Sequence, residues 1–143
     1  MAITSAICST FKQELLKGTH DFDGGATYKI ALYTSSASMG ASTTAYSTTN
    51  ETSGTGYTAA GATLTSPAVA LSSTTAYIDF ADATWTTSSF TANGALIYRS
   101  DGSAPTNDAV CVNAFGGDYT STKGTFTIQF PAAAASTALL RLA

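Results

Sequence analysis

Charge is what this chain has least of. Asp, Glu, Lys and Arg make up 10% of its 143 residues, where a soluble domain ordinarily carries about 25%. The lysines and arginines stand singly and the net charge is −3. No basic stripe is therefore available to neutralise a phosphate backbone, which argues against nucleic acid as a partner. His20 is the only histidine, so general-base chemistry near neutral pH would have to pass through it. The chain has no G-x-S-x-G elbow to mark one of its many serines as a nucleophile. Cys8 and Cys111 lie far apart without C-x-x-C spacing, and are expected as buried free thiols. No run approaches the roughly 20 apolar residues of a membrane span, and the first 18 residues lack the basic and apolar regions of a secretory leader. Synthesis and folding in a cytoplasm, without a membrane partner, are expected, which leaves the sequon at Asn50 idle.

Ser, Thr and Ala dominate what is present, so the surface is hydroxyl-rich. A surface with so little charge is poorly protected against association, which implies that partners cover much of it. The length suits one domain spanning 1–143. Ile3, Ile7, Phe11 and Leu15 recur every fourth residue, and Gly18 stands where a helix would be closed. This predicts an amphipathic helix over 1–18, with Thr4 or Ser5 at its start.

From 26 to 143 the period changes to two and turn residues recur every eight to twelve positions, which predicts strands. They fall at 27–34, on both sides of Pro67, and at 76–81, 83–90, 95–100, 109–115, 124–130 and 137–143. Phe126, Ile128 and Phe130 alternate with Thr125, Thr127 and Gln129, as one wet face requires. "ALIY" (95–98) and "AVCV" (109–112) do not alternate and are expected as central strands. Seven to nine short strands imply an antiparallel β-sandwich of Greek-key or jelly-roll type with one short N-terminal helix. Its candidate core is Trp85, Phe90, Ile97, Phe126, Ile128 and Phe130. Two irregular segments, 34–56 and 99–108, are long for a compact sandwich and suggest loops with a function or loops ordered by a neighbour.

His20, Asp21 and Asp23 in "GTHDFDGG" could suggest a cation site, but the ligands of a calcium loop do not continue downstream. An ordinary helix-to-strand turn explains them. "GTGYTA" (54–59) has the spacing of a dinucleotide fingerprint without the helix and acid that should follow. Asp79 and Asp82 lie near Trp85, which could stack on a sugar, yet Asp79 alternates outward from a strand and Asp82 opens a turn. No catalytic, cofactor-binding or metal-binding residue is expected.

Three segments together resemble a family of small tailed-phage virion proteins: 28–64, 78–100 and 124–143. The series runs E-x-S-G-x-G-Y-x-x-x-G from Glu51, D-F-x-D-x-x-W-T from Asp79, A-L-I-Y from Ala95, and T-F-T-I-Q-F from Thr125 to a short apolar strand at the C-terminus. The resemblance implies a non-enzymatic structural protein of the virion, encoded among head and tail morphogenesis proteins. Ala60 stands where that family usually has a second glycine, which suggests that the backbone there does not need positive φ.

The expected role is capsid cement or decoration, with the major capsid protein or other virion proteins as partners and a homo-oligomer as the expected state. Ile3, Ile7, Phe11 and Leu15 of the helix and Met39 and Tyr46 of the 34–56 loop are the candidate partner contacts, the equal alternative for the helix being that it covers one face of its own sandwich. A neck, tail or head-tail connector component is one alternative. A receptor- or glycan-binding module using Trp85 and Tyr98 is another.

Overall fold

Alternation, and its absence, sort the strands into two sheets. The computed structural model describes residues 2–23, 25–101 and 107–143. Among these residues the elements run β1 (Ala6–Ile7), α1 (Ser9–Leu16), β2 (Tyr28–Tyr33), β3 (Ala62–Thr63), β4 (Ala68–Ser72), β5 (Thr75–Asp79), β6 (Ala83–Arg99), β7 (Ala109–Ile128) and β8 (Leu140–Leu142). A five-stranded sheet has the order β1-β7-β6-β2-β3 and a three-stranded sheet the order β4-β5-β8, with every pair antiparallel. The chain leaves the large sheet after β3, forms the β4–β5 hairpin in the small one, and returns as β6 beside β2. This is the antiparallel, sandwich-like β fold with one short helix that the pattern predicts.

"ALIY" and "AVCV" take the central positions. Leu96 faces Ala31 on one side and Val112 on the other, and Ile97 faces Ile30 and Cys111. All six are buried. The six candidate core residues lie inside, with Ile128 partly buried at the margin of the cluster. Trp85 and Phe126 form a cross-strand pair, packed edge-on at 6.1 Å.

Three local expectations are corrected. The segments 83–90 and 95–100 are one 17-residue strand, and 109–115 and 124–130 are one 20-residue strand. The glycines in the gaps between those segments are absorbed as irregularities within a ladder, which is where a strand glycine serves. The register shifts between Ala92 and Gly94, and a Cβ on Gly94 would stand 2.8 Å from the Ile3 side chain. Asn93 and Gly94 lie mid-strand.

The helix begins at Ser9 after Cys8, not near Thr4 or Ser5, and stops at Leu16. Ile7 pairs with Cys111 in β1, and Ile3 bridges Met39. Gly18 ends the helix as the sequence suggests. Its N–H donates to Leu15 and that of Thr19 donates to Glu14, the paired bonds of a Schellman closure.

Ala60 adopts φ 77°, so the departure from glycine does not relax this backbone. Its N–H donates to Glu51 Oε1 at 2.8 Å and its carbonyl accepts from the Tyr98 hydroxyl at 2.7 Å. Bonds on both sides hold an alanine in a conformation that costs about 1–2 kcal/mol. At the next position a Cβ would lie 1.9 Å from the Ile30 carbonyl oxygen, so Gly61 has no substitute.

Candidate functional site

Glu51 is the centre of the segment that the sequence left as a long loop. Oε2 accepts from the Tyr46 hydroxyl and Oε1 from the Tyr57 hydroxyl, each at 2.7 Å, in addition to the Ala60 amide. Tyr57 in turn accepts from the Leu32 amide at 2.9 Å, and the Tyr33 hydroxyl donates to the Ser47 carbonyl. Burial together with the Glu51 charge pushes the Tyr46 and Tyr57 hydroxyls well above the usual tyrosine range. They remain neutral donors. The motif E-x-S-G-x-G-Y thus records a carboxylate that fastens 46–60 onto β2, and the loop is ordered by its own chain. Of the other irregular segment, 99–108, residues 102–106 lie outside those described.

Trp85 does not form an open wall. It is buried between Tyr57, Phe90 and Phe126, and Tyr98 is buried against Tyr46. Asp82 accepts the Phe130 amide at 2.9 Å, which joins the end of β7 to the start of β6. These residues of the second motif hold strands in place.

His20 is turned inward, away from its neighbours in sequence. Asp21 and Asp23 are exposed and closed on one another, with the Asp23 amide donating to Asp21 Oδ1. The helix closure brings His20 back under α1, where Nε2 lies 2.8 Å from Glu14 Oε2 and Nδ1 lies 3.2 Å from the Tyr28 hydroxyl. The ring packs on Phe11 at 4.8 Å. Asp108, at the entry to β7, completes a cluster in which one ligand atom from each of Glu14, His20 and Asp108 lies within 4.8 Å of the others. The sequence grouped His20 with Asp21 and Asp23. Neither Glu14, hidden in the helix pattern, nor Asp108, in a polar loop, carried a local signal.

The apolar surface that remains open is elsewhere. Val69, Ile78 and Leu140 face one another across β4, β5 and β8, as do Leu71, Ala76 and Leu142 one turn of the pleat away. All six share one face of the small sheet. Ile78 and Leu140 are covered by the core, while Val69, Leu71 and Leu142 are 53%, 72% and 59% exposed. Between this face and α1 runs a groove of about 250 Å³, lined by Phe11, Leu15, Phe22, Ile78 and Leu140 and flanked by Lys12 and Arg141. Leu16 at the end of the helix is also exposed.

The candidate partner contacts lie largely against the fold itself. Phe11 is buried, and Ile3, Ile7, Leu15, Met39 and Tyr46 pack in part against the molecule's own core. The helix covers its own fold, where Phe11 packs on His20 and Phe22. The exposed apolar residues on β4 and β8 were missed because each looks, within its strand, like an ordinary core position.

No family model, curated protein or solved structure matches this chain. No helix among the described residues is long and apolar enough to cross a membrane.

Proposed function

We propose that this chain is a non-enzymatic structural protein of a phage virion, a capsid cement or decoration protein. Its partner is the major capsid protein, and the half-covered face of the small sheet is the surface that meets it. The observation that carries the reading is that face. Val69, Leu71 and Leu142 continue a buried row into solvent on a chain with very few charges. Such a strip is a poor end state for a protein alone in water and a ready one for a protein that buries it against a neighbour. Lys12 and Arg141 beside the groove suit a partner that presents an apolar segment flanked by carboxylates. The resemblance in 28–64, 78–100 and 124–143 supports the virion assignment. Glu51, Gly61 and Asp82, which lie in the motifs that carry the resemblance, each hold backbone in place, which suits an architectural role.

Attachment then adds stability through area. At about 25 cal/mol per Å² of apolar surface, even a small patch repeated over a shell accumulates a large total. The glycan-binding alternative loses its aromatic platform, since Trp85 and Tyr98 are buried.

Quantitative mass spectrometry of purified particles of the encoding phage tests the location. Hundreds of copies per particle are expected for cement, whereas a dozen or fewer would place the protein in the neck or tail. Val69→Glu is expected to abolish attachment to particles that lack the protein while leaving its circular dichroism unchanged. Self-association in solution lost in the same variant, with capsid attachment retained, would assign the face to a second copy instead.

A further inference from the structure

We propose that Glu14, His20 and Asp108 form a binding site for a divalent transition-metal ion of the zinc type, held between α1, the turn that follows it and the start of β7. Three elements that are far apart in sequence deliver the donors, and each is fixed by its backbone. Glu14 lies on the helix, and its carbonyl accepts the Thr19 amide in the helix closure, which also sets His20. Asp108 bridges Ala45, and its carbonyl accepts the Arg99 amide.

The second observation is independent of that convergence. Asp108 is 6% exposed, and its Oδ2 has no hydrogen-bond partner among the described residues. A buried carboxylate oxygen without a donor is a costly arrangement in a fold that satisfies Glu51 with three donors. A bound cation is one way to satisfy it. The nearest guanidinium does not, because Arg99 directs Nε and Nη2 at Asp101 and Nη1 at the Thr19 carbonyl. Burial and the neighbouring Glu14 charge raise the Asp108 carboxyl above its usual range. A dication is the kind of partner that would reverse this.

One imidazole nitrogen and two carboxylates form a donor set of the zinc type, in contrast to the all-oxygen sets of calcium and magnesium. The Tyr28 hydroxyl beside Nδ1 can accept its proton, which leaves Nε2 free to ligate and orients the ring. Donors about 2.1 Å from a tetrahedral metal stand roughly 3.4 Å apart. Glu14 Oε2, now 2.8 Å from Nε2, has to move outward by well under 1 Å, while the donors as much as 4.8 Å apart have to close by roughly 1 Å; the Glu14 side chain, the most exposed of the three, is the one free to adjust. Three protein ligands leave a fourth position for water. A metal here would pin the helix to the large sheet from below. None of the three donors lines the groove beside the docking face; Phe11, which packs on His20, is shared between the two.

The test is a zinc titration of the tag-free, chelator-stripped protein by calorimetry, with thermal unfolding in zinc and in EDTA. One equivalent of Zn²⁺ is expected to bind and to raise the melting temperature. Asp108→Asn and Glu14→Gln, both isosteric, are each expected to weaken binding by about tenfold or more while keeping the native circular dichroism. The cobalt-loaded protein should show visible absorption that Asp108→Asn removes. No binding to the wild-type chain would overturn the proposal. So would binding that survives Asp108→Asn and Glu14→Gln but is lost in Cys8→Ser, which would assign the metal to the thiols.

Discussion

The two sheets are built from similar residues and end in opposite conditions. In the large sheet β6 lies between β2 and β7, and the row Ile30, Ile97 and Cys111 is sealed on both faces. In the small sheet the row Leu71, Ala76 and Leu142 runs out into solvent. Both are apolar rows across three antiparallel strands. What differs is cover: α1, the 34–56 segment and the aromatic layer close the first, and nothing among the described residues closes the outer part of the second. Burial therefore separates residues that hold the fold from residues free to serve a partner, and hydrophobicity alone does not.

Substitutions in the sealed sheet should have the largest effect. Leu96→Ala removes a fully buried side chain between β2 and β7, and is expected to destabilise by about 3 kcal/mol, read as a lower denaturant midpoint. Glu51→Ala comes next. It strands two tyrosine hydroxyls and the Ala60 amide at once, and about 2 kcal/mol of destabilisation is expected. Glu51→Gln keeps the shape and one of the two acceptor oxygens and should lose less. Equal losses in the two variants would show that the hydrogen bonds to Tyr46, Tyr57 and Ala60 are not what holds the segment.

The thiols sharpen the same contrast through pH. Burial pushes Cys111 up to about 12 and Cys8 up to about 11. The folded chain thus keeps both protons where the unfolded chain releases them. The stability this represents is fully present below the unfolded thiol range near 9 and is lost as pH rises through the folded values. By pH 10 the Cys111 contribution should have fallen by roughly 1 kcal/mol, at 1.36 kcal/mol per pH unit. Denaturant midpoints between pH 8 and 10.5 would show the decline, and Cys111→Ser should remove about half of it, the Cys8 share remaining. A disulfide reagent at pH 8 should react with neither thiol until the chain is unfolded.

Much of the fold was legible because burial leaves a local pattern. The alternation in 124–130 and the unbroken runs at 95–98 and 109–112 put those residues on the correct faces and in the central strands. The helix was overdrawn for a physical reason. A spacing of four is close to the helical period and is also a multiple of two, so Ile3 and Ile7 share a face as well in extended chain as in a helix. The strand breaks drawn at 91–94 and 116–123 contain Gly94, Gly116 and Gly117, since a bulge and a turn ask for the same residue. The His20 cluster was invisible, since its partners are 6 and 88 positions away and only the tertiary fold joins them. Glu51 was visible as a motif but mute as to role, because the sequence does not say which hydroxyls a carboxylate will meet.

The smallest effect on stability should fall on the open face, and that is where it says most. Leu71→Ser exchanges a largely exposed leucine for a residue already common on this surface. Its unfolding free energy should stay within about 0.5 kcal/mol of the parent. Leu96→Ala, another leucine truncation in an antiparallel row, should lose several times more. If the outer row of the small sheet is there for a partner, the ranking reverses when attachment to particles is measured: Leu71→Ser loses binding at unchanged stability. Leu96→Ala should bind normally whenever it is folded. A stability loss in Leu71→Ser comparable to that in Leu96→Ala would mean that the outer row belongs to the fold after all, and the contrast between the two sheets would disappear.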